Sequence, residues 1–518
     1  MNIKNNNKRI AQNTLLLYIR MLLLMLVSLY TSRINLNALG VDDFGIYGVV
    51  GGLVSMFYIV SNALTGSISR YLTFELGRND PQRLCHVFST STIIQYLLVG
   101  IIFILGETVG LWFLNHKMVI PFERLYAANW VYQLSLLSFM MDLLVIPYIA
   151  TIIAHEKMSA FAYISILQAI GKLIVAWSIS IAPIDRLIWF STLILFNATV
   201  IRSVYIFYCK HYFEECRSKF IFDKKLWKEM FGFAGWNFIG SLAAILRDYG
   251  GNIVINLFSG PAVNAARSIA IQVNNAVAGF ADNFQTALKP QITKSYAQGN
   301  YDYMHKLIFQ GSRLSYYILF ILTLPIICNT HYILQLWLGQ VPVHTELFIQ
   351  LILIFTMSES LATPLITAML ATGQIRNFQI IVGGLNLLNL PLSYIALRLG
   401  AIPETVIIVA ILVSILCEIA RILLLRNMIG LPARKFFRHV YLNVVIVSII
   451  ASILPIWLHK QLDENFISFI IISIVAFICT ITSILFIGCS QSERLFIYNQ
   501  IQTKYNKLNH RNSSNNNE

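Results

Sequence analysis

The chain has 518 residues, of which 57% are hydrophobic and only 12% are charged, about half the charged share of a soluble domain. That composition excludes a soluble enzyme, a nucleic-acid-binding domain and a disordered protein. The net charge of +14 therefore has to be interpreted from where the charged residues lie relative to the membrane spans. The apolar runs are continuous rather than alternating, which argues against an outer-membrane barrel. The sequence therefore predicts an all-α, polytopic membrane protein.

Fourteen segments reach the length of about 20 apolar residues that spans a bilayer core. In chain order they are 11–36, 44–69, 84–114, 121–153, 158–182, 187–209, 229–258, 261–288, 303–328, 345–372, 377–399, 402–426, 437–459 and 466–489. Polar residues interrupt the third and eighth segments. The first is too long for a signal peptide and has no small-residue cleavage site, so we predict that it is retained as a helix.

The loops carry an uneven distribution of positive charge. Between spans and at the ends, 25 Lys and Arg residues fall on the side of the termini and 6 on the opposite side. The positive-inside rule then predicts that both termini lie in the cytoplasm.

The chain also contains an internal repeat. The stretch 140–161 matches 357–378 at a constant offset in numbering (359 − 142 = 217), with Asp142 opposite Glu359 and Pro147 opposite Pro364. Two further alignments pair Gly77 with Gly299, offset by 222, and Gly40 with Gly260, offset by 220. Because six spans are an even number, both copies share one orientation. The interpretation is two parallel six-helix repeats plus two extra C-terminal helices, with a substrate site between the repeats.

These boundaries divide the chain into five parts. They are an N-terminal lobe at 1–209, a basic cytoplasmic linker at 210–228, a C-terminal lobe at 229–426, helices 13 and 14 at 427–489, and a disordered cytoplasmic tail at 490–518.

Catalytic and cofactor motifs are absent from the sequence. There is no phosphate-binding GxxxxGK[ST] loop and no HExxH motif, and the seven cysteines form neither a CxxC pair nor a Cys/His cluster. We therefore expect no enzyme activity, no metal and no cofactor.

Charged residues inside the spans are the informative ones, because a charge at mid-membrane costs about 2.5–3.5 kcal/mol. Five cations are candidates for substrate binding: Arg20, Arg247, Arg267, Lys172 and Arg313. Since the leading helix of each repeat brings an Arg inside, we predict that these residues line a cationic cavity. Two alternatives stay open. Arg247 could pair with Asp248 or Asp282, and long side chains could extend to the headgroups, which we favour for Arg33, Arg202 and Arg421 near helix ends.

The duplicated acid and proline form a second candidate site. Each proline frees a backbone carbonyl four residues earlier, and each acid lies one residue before that carbonyl. Asp142 with Pro147 and Glu359 with Pro364 could serve as a hinge or as a proton or sodium site. Ancestral packing retained by both copies explains the pattern equally well.

The motifs LGVDDFGIYGVV (39–50) and SRYLTFELGRND (69–80) resemble those of Wzx-type polysaccharide flippases of the multidrug/oligosaccharidyl-lipid/polysaccharide exporter (MOP) superfamily. The resemblance covers about residues 8–490. It implies a MATE-like, two-lobe transporter that moves an undecaprenyl-diphosphate-linked oligosaccharide to the outer leaflet by alternating access. It also implies that arginines hold the diphosphate, a role that Arg20, Arg247 and Arg267 could take by position.

Two related functions remain as alternatives: a cation-coupled multidrug exporter of the same fold and a peptidoglycan-precursor (lipid II) flippase. Drug exporters of this fold usually have twelve helices and acidic cavities, whereas the first helix here carries arginines and no acid. The expected partners are the lipid-linked oligosaccharide and inner-membrane lipids, with a polysaccharide polymerase as a candidate, no nucleic acid, and a monomeric state.

Overall fold

The computed structural model describes residues 3–55, 58–116, 118, 120–217, 221–338, 341–491 and 493–495. Within these residues every regular element is a helix. Helices α1 to α9 are Ile3–Ser55, Tyr58–Arg78, Pro81–Leu105, Leu111–His116, Leu125–Ala154, Met158–Ser178, Arg186–Tyr212, Lys224–Ala297 and Tyr301–Cys328. Helices α10 to α17 are Thr330–Leu338, Thr345–Thr372, Arg376–Leu387, Asn389–Arg398, Thr405–Ile429, Ala433–Phe436, Asn443–Gln461 and Phe466–Ser483. Most of the tail predicted at 490–518 lies outside the described residues.

Capping residues fix several helix ends. The side chains of Asp80, Asp185, Asp223 and Asn465 accept hydrogen bonds from backbone N–H groups in the first turns of α3, α7, α8 and α17. Helix α14 ends at Gly430, whose φ of 66° is the left-handed conformation that glycine adopts without a Cβ penalty. These residues set the loops that separate consecutive spans.

Eleven helices of the described chain are long and apolar enough to cross a membrane. The described residues of the other three predicted spans, 44–69, 229–258 and 261–288, are also helical, and these spans are more polar. They lie in the second part of α1 with α2, and in the two parts of the 74-residue α8. The structure therefore agrees with an all-helical membrane protein of about fourteen spans.

Two glycines separate pairs of spans without a loop. Gly40 inside α1 has φ 81° and ψ 171°, and Gly260 inside α8 has φ 78° and ψ −178°. A residue with a side chain rarely adopts this backbone conformation, whereas glycine adopts it freely. The two breaks therefore occupy equivalent places in the two copies, at the offset of 220 that the sequence predicts for this pair of glycines.

The next loop shows the same offset and corrects one alignment. Asn79 and Gly299 both have positive φ, at 56° and 69°. Asp80 and Asn300 follow them, and each accepts a hydrogen bond from the backbone N–H three residues later. The pairing of Gly77 with Gly299 is therefore wrong.

With an offset of 220, Gly77 corresponds to Ala297, and these two residues touch. A Cβ placed on Gly77 would lie 2.7 Å from the Cβ of Ala297. The two copies of the repeat thus meet here through equivalent positions.

The described chain forms two compact units. The first comprises Met1–Gly250, Asp282–Ile308 and Pro364–Leu390. Its hydrophobic core is built around α5, which packs against α1, α2, α3 and α7. Helix α5 supplies fully buried side chains that include Tyr132, Phe139 and Leu143.

The second unit comprises Gly251–Ala281, Phe309–Thr363 and Pro391–Glu518. Helices α16 and α17 pack against each other within it. The chain passes from one unit to the other inside helices rather than in loops, and α11 does so at Pro364. The division into lobes at 209 and 426 stays a prediction.

Candidate functional site

Arg20 lies half-buried on α1 in the first unit. The carbon at the centre of its guanidinium is 4.4 Å from the centroid of the Phe161 ring on α6, a cation–π contact. Its Nε is buried without a hydrogen-bond partner, and no carboxylate of the described residues forms an ion pair with it. A positive charge that no acid neutralises fits a cation held for an anionic ligand.

The acid–proline pair of α5 lies in the same unit. Asp142 is exposed, and both Asp142 and Arg20 interact electrostatically with Tyr205 on α7. Pro147 is buried inside α5, where its carbonyl accepts a hydrogen bond from the hydroxyl of Thr151. Arg20, the predicted substrate-binding cation, and Asp142, the predicted ion-coupling acid, therefore both lie near Tyr205.

Two other predicted cations of this unit differ in their surroundings. Arg247 on α8 donates from Nη1 to the side-chain oxygen of Asn386 on α12, at 3.5 Å. Lys172 is exposed on α6, and none of the described residues bonds to its ammonium group. The Asn386 side chain that Arg247 contacts is a neutral amide.

Arg267 and Arg313 belong to the second unit. Arg267 is 5% exposed, and its Nη1 donates to the side-chain oxygen of Asn252. Arg313 is also buried but forms an ion pair with Glu493 at 2.8 Å and donates to the carbonyl of Gly488. The Arg313 charge is therefore compensated within the protein, and its assignment to substrate stays a prediction.

Glu359 lies in a cluster of ionisable side chains in the second unit. Ser414 donates a hydrogen bond to Glu359, and Arg421 Nη1 lies 3.9 Å from the Glu359 carboxylate and 2.8 Å from that of Glu418. Tyr441 donates to the other Glu418 oxygen at 2.8 Å. Two carboxylates thus share one guanidinium.

The headgroup extension that we favoured for Arg421 is wrong, because the residue is 4% exposed and paired with Glu418. Sequence reasoning missed this pair, although an acid and a base three residues apart on a helix share a face.

Pro364 continues the same region of α11. The carbonyl of Leu361, three residues before the proline, accepts a hydrogen bond from the buried hydroxyl of Ser312 on α9. This bond ties α9 to α11 one residue after Ser360, whose carbonyl loses its helical donor because of the proline.

Asp43, in the motif 39–50, ties together helix ends. Arg124 donates from Nε to Asp43 at 2.8 Å and from Nη1 to Asp185 at 2.6 Å. Partial burial favours the neutral acid, but hydrogen bonds from Arg124 and from backbone N–H groups outweigh it and lower the pKa of Asp185. The motif therefore contributes an ion-paired anchor at the start of α5 and α7.

Inside the first unit the two repeats meet at a buried carboxylate. Glu156, just after α5, is 1% exposed and contacts Lys294 at 2.7 Å, Gln291 at 2.5 Å and Arg9 at 2.8 Å. Its φ is 59°, and Gly373, its equivalent at the predicted offset of 217, has φ 76°. That offset therefore pairs two turns with the same unusual backbone.

The profile of the polysaccharide biosynthesis protein family matches residues 10–296, more than half of the chain. The chain belongs to this family. A second profile, MatE, matches residues 250–395 and overlaps the second repeat of this polysaccharide biosynthesis protein. No curated protein sequence gives a significant match.

Solved transporters share the fold of this polysaccharide biosynthesis protein. A MATE in the bent conformation superposes with a TM-score of 0.70 at 12% identity, over 83% of this chain and 96% of the other. An outward-facing multidrug resistance MATE family transporter gives 0.69 at 14% identity, over 82% and 96%. A MOP superfamily transporter from Pyrococcus furiosus, described as having a binding pocket of reverse polarity, gives 0.65 at 13%, over 81% and 95%.

These matches and the helices together make the protein a multi-pass membrane transporter of the MOP superfamily with a MATE-like fold. Its family is one of transporters and not an enzyme family. At such low identities the solved structures speak for the fold alone.

Proposed function

We propose that the protein flips undecaprenyl-diphosphate-linked oligosaccharide units across the bacterial inner membrane, for surface polysaccharide synthesis, by alternating access. The observation that carries the proposal is the polysaccharide biosynthesis family match, which covers all of α1 from residue 10 and therefore Arg20. The charge of Arg20, with which no carboxylate of the described residues forms an ion pair, supports it.

The chemistry of the cargo requires such cations. An isolated ion buried in hydrocarbon costs tens of kcal/mol in the Born limit, so a diphosphate needs compensating donors on its path. Guanidinium groups present several N–H donors in a planar fork that suits phosphate oxygens. The inside-negative membrane potential also favours outward movement of an anion, by about 2.3 kcal/mol per charge per 100 mV.

The test is complementation of a strain that lacks its surface-glycan flippase. Losing one charge-assisted hydrogen bond of about 1.5–3 kcal/mol predicts that Arg20→Ala lowers glycan export at least tenfold, with Arg20→Lys intermediate. The matched control is Arg202→Ala, another arginine inside a span of the first unit, whose Nη1 contacts the Met141 sulfur. Membrane levels of every variant are measured by immunoblot. Normal export by Arg20→Ala at normal membrane levels would contradict the assignment.

Multidrug export is the second candidate, favoured by the MatE match and by the MATE structures. The discriminating experiment expresses the chain in a drug-sensitive strain and in the flippase-deficient strain. Resistance to cationic drugs without restored glycan export would support the exporter. Rescue of a strain depleted of its lipid II flippase would support peptidoglycan-precursor transport instead.

Ion coupling completes the proposal. Two carboxylates beside one guanidinium favour binding of an additional cation, so Glu359 with Glu418 is a proton or sodium site, and Asp142 is its counterpart in the first repeat. Pro147 and Pro364 act as hinges. Glu359→Gln should make transport in proteoliposomes insensitive to an imposed pH or sodium gradient, and an unchanged gradient dependence would count against this role.

The remaining elements concern location and partners. Both termini lie in the cytoplasm, the protein works as a monomer in inner-membrane lipid, and a polysaccharide polymerase receives the cargo. Labelling of single cysteines placed in predicted loops tests the orientation, and mass photometry in nanodiscs tests the monomer.

A further inference from the structure

A basic cavity of about 700 Å³ lies within the first unit, and Arg20 is not among the residues that line it. Four stretches form its wall: the C-terminal end of α2, the start of α3, the N-terminal part of α8, and the turn between α11 and α12. The loop-charge pattern places all four on the predicted cytoplasmic side.

The wall is strongly cationic. It holds five basic side chains and two acidic ones, a net charge of +3: Arg70, Arg78, Arg83, Lys228 and Arg376 against Glu75 and Glu229. Two of the bases already have partners, because Arg70 donates to the carbonyls of Leu370 and Ala371, and Arg83 pairs with Glu75 at 3.2 Å. Burial disfavours the charged form of Glu75 and raises its pKa.

Three bases keep their donors available. Arg78, Lys228 and Arg376 are exposed, and no carboxylate of the described residues pairs with them. Aromatic rings orient two of these guanidinium groups: Arg78 lies 5.3 Å from the Phe74 centroid and Arg376 lies 5.6 Å from that of Trp236. Stacking holds a guanidinium by its face and leaves its edge donors for a ligand.

We propose that this cavity binds a phosphate-bearing anion through Arg78, Lys228 and Arg376. Excess positive charge, oriented guanidinium forks and a volume typical of small-molecule sites suit a phosphate or diphosphate group. Two sources share this chemistry: the headgroup of an acidic phospholipid of the cytoplasmic leaflet, and a soluble diphosphate. The site goes beyond the proposed function, since it does not depend on what the protein transports.

The ligand would also bridge the two repeats. Arg78 comes from the first repeat and Arg376 from the second, and a single anion contacting both holds α2, α8 and the turn after α11 in the arrangement described. Anything that binds one arrangement in preference to others stabilises it. Occupancy of this cavity therefore regulates how readily these elements separate.

The experiment uses the full-length protein in nanodiscs. Inorganic pyrophosphate is titrated by calorimetry in phosphatidylcholine nanodiscs, and native mass spectrometry counts the lipids retained from phosphatidylglycerol nanodiscs. The double variant R78Q/R376Q should lose at least tenfold in affinity for whichever ligand binds. The matched control R398Q/K460Q removes the same number of exposed charges elsewhere and should bind normally.

A variant of opposite sign keeps the test independent of folding. Glu229→Gln removes an exposed negative charge from the wall and should tighten binding about threefold. Pyrophosphate binding that follows these variants supports a soluble diphosphate, and retained phosphatidylglycerol that follows them supports a lipid headgroup. Absence of both ligands, or equal losses in R398Q/K460Q, would overturn the proposal.

Discussion

Replacing Glu156 by Gln should destabilise the contact between the repeats inside the first unit. The substitution keeps the shape of the side chain but removes a carboxylate that is 1% exposed and paired with Lys294, which is itself 15% exposed. Breaking a buried pair costs about 3–5 kcal/mol, and Lys294 retains some solvent, so we expect the lower end, about 3 kcal/mol. Arg9 is 42% exposed, and its pair adds at most about 1 kcal/mol.

The assay is reversible unfolding in mixed micelles, followed by tryptophan fluorescence for Glu156→Gln, Lys294→Gln and the double variant. Because the two side chains contact directly, the cycle should give a coupling energy of about 2 kcal/mol. Glu214→Gln, an exposed acid nearby, is the matched control and should change stability by less than about 0.5 kcal/mol.

Two further variants isolate backbone strain. Glu156→Gly and Glu156→Ala both remove the carboxylate, but only glycine removes the cost of a positive φ, so Glu156→Gly should be about 1 kcal/mol less destabilising than Glu156→Ala. Additive effects of Glu156→Gln and Lys294→Gln, within about 0.5 kcal/mol, would refute the ion-pair reasoning.

Three further substitutions test other parts of the structure. Gly260→Ala should cost about 1–2 kcal/mol through the backbone alone, since nothing lies within 4 Å of the added Cβ; a neutral result in the unfolding assay would contradict the break in α8. Glu418→Gln should cost about 3 kcal/mol, because it leaves Arg421 with only the 3.9 Å contact to Glu359. A loss below about 1 kcal/mol would show that water screens the pair and would contradict the buried network. Because the folded state lowers the pKa of Asp185, its stabilisation is present at neutral pH and is lost as the pH falls through that depressed value. Asp185→Asn should therefore flatten the acid limb of the stability profile below about pH 4, and an unaltered limb would be inconsistent with the Arg124 hydrogen bonds.

Much of the fold could be predicted from the sequence, because membrane-spanning helices appear in it as long apolar segments. The repeat was also visible, since a proline in a helix and a glycine at a sharp break leave the same mark in both copies. The offset of 222 was wrong because Gly77 lies inside a helix and only Asn79 has the backbone of Gly299. A letter match between two glycines does not show that both need positive φ.

The partners of the charged residues were less predictable. Whether Arg20 faces an aromatic ring or a carboxylate depends on helix rotation, which hydropathy does not determine. The Glu418–Arg421 pair could have been read from its spacing. The basic cavity could not, because its walls come from segments as far apart in the chain as Arg70 and Arg376, whose charges only indicated membrane orientation.

The contact between Gly77 and Ala297 has an evolutionary consequence. When a duplicated chain descends from a symmetric dimer, residues on the axis face their own counterparts. Two alanines here would place methyl groups 2.7 Å apart, closer than Cβ atoms approach. A symmetric ancestor with alanine on both sides could therefore not pack this crossing as closely as the fused chain does, and duplication allowed one side to take glycine.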